Sequence, residues 1–144
     1  AYEITYGDWS SDVCSSDLMP GTVTQEFGCT GFSWEPPLGS CAHFHNGIDI
    51  AAPMYTPIKA AGPGTVVFVG ANPYDSNPKA WIVIIAHSVS LRSWYAHIDN
   101  AAYPPAVVVG QVVRTGQVIA YEGMTGHTTG PHLRGHAQGP SPPS

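Results

Sequence analysis

The chain has 144 residues and a formal charge of −5, with 10 acidic against 5 basic side chains. It is sized for one core rather than two, and its surface has the wrong sign for gripping phosphates, which argues against nucleic acid as a partner. The 13 Val, 9 Ile and 10 Thr against only 4 Leu, punctuated by 16 Gly and 14 Pro, favour short pleated strands joined by tight turns. The chain reads as all-β.

The longest apolar run, residues 80–86, is far short of the about 20 residues that a spanning helix needs, so no membrane insertion is expected. The first residues carry no basic, apolar and cleavage-site succession of a signal peptide. Cys29 and Cys41 flank a Gly- and Pro-containing loop with little core of its own. Their spacing predicts a disulfide, and with it an oxidising, extracytoplasmic setting.

Residues 1–19 differ from the rest: Ser10-Ser11-Asp12 returns as Ser15-Ser16-Asp17, with no strand period. This stretch resembles translated linker or adapter sequence and is set outside the fold, together with Cys14. Strand signals begin after Pro20, over 22–27, and resume over 47–51, where alternation with Ile48 and Ile50 puts Asp49 opposite the core face. Residues 65–69 and 80–86 read as central strands covered on both sides, with a turn-rich excursion over 70–79 between them. Over 91–98, alternation groups Ser93, Tyr95 and His97 on a polar side, opposite Trp94, Ala96 and Ile98. Gly110-Gln111-Val112 recurs as Gly116-Gln117-Val118 and predicts two short strands with a turn between them.

Chemistry concentrates in three segments. His45 and Asp49 form a His-x-x-x-Asp pair of ordinary zinc donors; an extended strand would hold them about 13 Å apart, so the Asn46-Gly47 turn must fold the chain back. His97 follows Tyr95-Ala96, and His132 follows the turn Thr129-Gly130-Pro131. In that order these segments resemble the lysostaphin-type zinc metalloendopeptidases that cut peptidoglycan peptides, and the likeness runs from about Pro20 to Leu133, including the strand at Gly64 and the repeated Gly-Gln.

The resemblance implies an antiparallel β-sheet groove of the lysostaphin-type, hybrid-motif barrel kind over 20–134, holding one Zn2+. His45 and Asp49 match the family's metal ligands. His97 and His132 match its non-ligand catalytic histidines. It further implies a monomer acting on peptidoglycan peptides outside the cytoplasm, secreted, wall-bound or on a phage virion. One departure stands out: the family's second ligand histidine of His-x-His is here Arg134, whose guanidinium stays protonated without a lone pair to give. His136 lies two residues further along, and residues 135–144 read as a disordered tail with the final strand lost. A catalytically degenerate domain that binds peptidoglycan or activates a hydrolase is the alternative. A lipoyl-type carrier ranks far behind, since Lys59 carries no hairpin signal.

The other histidines carry less. His87 reads as a hydrogen-bonded structural residue, while His43 and His127 are loop residues open to groove lining or plain solvation. Trp34, Tyr55, Tyr74 and Tyr103 are loop aromatics that could line a peptide groove, partly buried loop residues being the commoner case, and none carries a catalytic role.

Overall fold

The computed structural model describes residues 19–25, 28–31, 33, 37–45, 48–126 and 132–138, and the expectations for 1–18, Trp34, His127 and 139–144 lie outside them. Among the described residues there is no helix, so none is long and apolar enough to cross a membrane. The main sheet is seven-stranded and antiparallel. Its order is β1 (Thr22–Gln25), β4 (Ile48–Ala51), β11 (His132–Gln138), β8 (Arg92–Ala96), β7 (Trp81–Ala86), β6 (Gly64–Ala71) and β9 (Val112–Val113). Two small ribbons accompany it, β2 (Gly28–Cys29) with β3 (Phe44–His45) and β10 (Val118–Tyr121) with β5 (Pro57–Lys59).

The sheet stands where it does because its central strands feed two apolar layers at once. In β7, Val83 and Ile85 enter the main core with Ile50, Ile58, Tyr95, Ile98 and Ile119, while Ile82 and Ile84 face the opposite side with Phe68, Trp94 and Ala96. Period-two alternation is what lets one near-continuous apolar run serve both faces.

Polar atoms within the main core are bonded in a chain. Tyr95, fully buried, accepts the Ala61 N–H at 2.8 Å and is hydrogen-bonded to the Ser93 hydroxyl at 3.0 Å. Ser93 in turn meets His87 Nε2 at 2.7 Å, while His87 Nδ1–H donates to the Pro63 carbonyl at 2.7 Å. His87 is therefore structural. Burial lowers its pKa and pushes the Tyr95 phenol up to about 12, so both stay neutral in the core.

The Gly-Gln repeat is a turn device used twice. Gly110 and Gly116 have φ of +92° and +79°, as the third residue of a type II turn requires. The Gln111 and Gln117 side chains then accept the N–H of Val108 and Arg114. The expected neighbouring strands differ in one respect: β9 joins the main sheet against β6, whereas β10 pairs with β5. Cys29 and Cys41 form the expected disulfide, with Cα atoms 5.4 Å apart.

Three expectations are corrected. Met19, counted with the stretch 1–19 outside the fold, is fully buried in the main core. The final strand is present: β11 runs through Gln138 in the middle of the sheet, in unbroken register with β8 from Arg134↔Ala96 to Gln138↔Arg92. Two flanking strands with unpaired backbone groups favour a central partner even where the side chains are unremarkable, and Leu133 and Ala137 keep the apolar alternation. The polar side assigned to Ser93, Tyr95 and His97 is instead the core side for the first two, both fully buried. Residue 97 does not continue the alternation, because its φ of +65° turns the chain after Ala96 and sends Ile98 into the core.

Candidate active site at the end of strands β4, β8 and β11

Backbone register brings the chemistry-bearing segments together. Asp49 lies directly across from position 134, and position 134 lies directly across from Ala96, giving one row over three adjacent strands. His132 begins β11 opposite Ala51, two positions along from that row, and His97 is the residue after Ala96. His45 ends β3, tied opposite Gly28 in the ribbon that the Cys29–Cys41 disulfide anchors. The turn Asn46-Gly47 and the side chains of His45, His132, Arg134 and His136 lie outside the described atoms. Asp49 is half-buried, on the side of β4 opposite the fully buried Ile50.

The local geometry of His97 is the most fully specified part of the site. Its ring donates Nδ1–H to the Thr125 carbonyl at 2.7 Å, which fixes the tautomer and leaves the lone pair of the neutral ring on Nε2. Thr125 is held in turn at both ends of its hydroxyl: it donates to the Ile98 carbonyl at 2.7 Å and accepts the Trp81 N–H at 3.0 Å. Nothing in the local sequence announces Thr125. It stands 28 residues from His97, and only the return of the chain past Ile98 makes them neighbours.

The same return packs closely. A Cβ on Gly123 would stand 2.4 Å from the Asp99 amide nitrogen, so only glycine lets residues 122–125 lie against 98–99. Beside it Glu122 is fully buried, and burial pushes its pKa up to about 8, with the Gly123 amide pulling the other way. Its main chain is nonetheless well used, accepting from the Tyr55 N–H and donating to the Thr56 carbonyl, both at 2.9 Å. Tyr55 adopts φ of +70° and stacks on Tyr103 at 4.8 Å, which meets Tyr121 at 5.5 Å. Tyr74, by contrast, is 84% exposed, not the partly buried loop aromatic expected.

Position 134 decides whether a metal fits. Three protein donors are usual for a catalytic zinc, and the place facing Asp49 carries an arginine, which has no lone pair to give and repels the ion. Position 136 pairs with Trp94, and the β4 pairing ends at Gly135, so 136 is not in the Asp49 row. Among the residues with described side chains, no three His, Cys, Asp or Glu gather as a metal cluster.

Comparison with known proteins points one way. Residues 43–139 match Peptidase family M23. The peptidoglycan DD-endopeptidase ShyB of Vibrio cholerae is 39% identical over 89 residues, 62% of this chain and 19% of its own. The chain spans about a fifth of that relative's length. Among solved structures, a zinc-containing peptidase from Vibrio cholerae superposes with a TM-score of 0.64 at 31% identity, covering 83% of this chain and 33% of the other. The catalytic domain of lysostaphin from Staphylococcus simulans does so with a TM-score of 0.63 at 28% identity, covering 85% and 84%. With its antiparallel sheet and the matched span of residues, the chain belongs to peptidase family M23.

Proposed function

We propose that this chain is a peptidoglycan endopeptidase domain of the zinc-dependent kind whose hydrolytic power is weakened at position 134. It works as a monomer on cell-wall peptides outside the cytoplasm, in keeping with its disulfide. The observation that carries the reading is the row Asp49–Arg134–Ala96. Asp49 and position 134, which we read as the place of a missing ligand, share that row with Ala96, the residue before His97.

Within this reading His45 and Asp49 are the remaining metal donors, and no step is assigned to the metal while the third donor is an arginine. The chain's own contribution is proton handling. His97, with Nδ1–H committed to the Thr125 carbonyl, accepts a proton at Nε2 from an attacking water and returns it to the leaving amine. His132 stabilises the oxyanion that develops on the peptide carbonyl.

A second reading, a domain of the same fold that binds peptidoglycan or activates a partner hydrolase without cutting, is favoured by the same arginine. Zinc content of the purified chain, measured beside Arg134→His together with peptide release from cell walls, separates them. Under the first reading the native chain holds well under one equivalent, and the variant gains both metal and activity. Near-full zinc in the native chain overturns the account of Arg134. A variant that gains zinc but releases no peptide leaves the binding reading standing.

A further inference from the structure

On the side of the sheet that the register gives to Asp49 lies a cavity of about 320 Å³. The row through Asp49, position 134 and Ala96 extends to Ile82, and the next row runs from position 136 through Trp94 and Ile84 to Phe68. Ile82, Ile84, Phe68 and Trp94 form the cavity's apolar floor, with Tyr74 and Arg92 at its sides. Three strand spacings of about 4.8 Å separate Asp49 from Ile82 across the ladder, about 14 Å in all, or roughly four residues of extended peptide.

The wall that bears Tyr74 is preorganised. Asp75 accepts from the Asn72 side-chain amide at 2.9 Å and from the Ala80 N–H at 3.1 Å, and Lys79 Nζ donates to the Asp75 carbonyl at 2.8 Å. Asn72 also accepts the Tyr74 N–H at 3.2 Å. This web fixes the backbone of the excursion over 70–79 and so the place from which the exposed Tyr74 ring reaches the cavity. The exposed Arg92 guanidinium, which also lines the cavity, has no hydrogen-bond or ion-pair partner among the described residues. An apolar floor, a fixed aromatic wall and one planar cation together match a peptide residue carrying a carboxylate.

We infer that this cavity is a specificity pocket, recognising a carboxylate-bearing residue of the peptidoglycan peptide about four residues from the Asp49 end of the groove. The inference rests on the peptidoglycan reading above and adds to it which chemistry is selected and by which side chains. Arg92 supplies the selection and Tyr74 the contact area.

The test is binding, which needs neither metal nor turnover. A synthetic peptidoglycan stem pentapeptide, and a twin with every carboxylate converted to carboxamide, are titrated into the full chain while the Trp94 indole signal is followed by NMR. The acid peptide is expected to bind at least five-fold more tightly than the amide and to shift Trp94. Arg92→Gln, a change at an exposed side chain, brings the acid down to the amide's level, and Tyr74→Ala weakens both alike. Equal binding of acid and amide to the native chain, absence of binding, or a Trp94 shift produced only by a glycan fragment overturns the pocket. A native chain that discriminates the two peptides yet releases nothing from cell walls counts against hydrolysis and leaves the pocket intact. Wall digestion without discrimination does the reverse.

Discussion

The two faces of the central sheet are built from alternate residues of the same strands and end in opposite conditions. On the core face Val83, Ile85, Tyr95 and Ile50 are sealed, and the polar atoms of Tyr95, Ser93 and His87 are bonded to one another or to backbone. On the other face Ile82 and Ile84 are also shielded, but Trp94 and Phe68 are only half-buried and a cavity lies over them. One face is a finished interior; the other has a cavity lying over it. The difference teaches that burial of an aliphatic side chain does not by itself mark a finished core, since Ile82 and Ile84 are buried like Val83 and Ile85 yet line a cavity.

The largest effect expected from this contrast is a stability difference between adjacent residues of one strand. Ile85→Ala, at a fully buried core position, should cost about 4 kcal/mol, and Ile84→Ala, beside the existing cavity, about half that, because the void there is already partly present. Denaturant unfolding of both variants checks it. Equal costs would mean that the second face is packed like the first.

Thr125→Val tests the link between the sheet and His97. Losing the hydroxyl's bonds to Ile98 and Trp81 should cost about 1–3 kcal/mol and release the His97 ring from a single Nδ1–H tautomer, seen in its 15N shifts. Thr125→Ser should restore both. Retention of the tautomer in the valine variant would show that the carbonyl is held without the hydroxyl.

A further effect is a pH dependence. Glu122 is raised in the folded chain from 4.5 to about 8, so its favourable contribution is complete below pH 4.5 and fades as pH rises to about 8, where the folded state must also ionise. Between pH 5 and 8 the native midpoint should fall by roughly 10 °C from this group, and Glu122→Gln should remove that part of the fall. A parallel fall in both proteins would place the cause elsewhere.

Much of this was legible in the residues. The β-branched runs mark β6 and β7 because apolar alternation is local, and the alternating isoleucines put Asp49 away from the core for the same reason. The disulfide follows from two cysteines closing a loop with little core. The His-x-x-x-Asp, Tyr-Ala-His and Gly-Pro-His segments pointed to the family that the comparison of residues 43–139 supports. The strand β5 left no signal, since Pro57-Ile58-Lys59 is too short to have a period and forms only against β10.

What the chain's order of residues determined by itself is therefore what depends on near neighbours: strand periods, the Gly-Gln turns, and the residue types of the candidate site, including an arginine at position 134. Only the tertiary structure decided that the residues after Leu133 form a central strand, that His97 breaks its strand's alternation, that Thr125 fixes its ring, and that Tyr74 and Arg92 flank one cavity. Each of these joins segments far apart in the chain. Their energies arise from backbone groups and surfaces that acquire partners only when the sheet closes, so no local pattern encodes them.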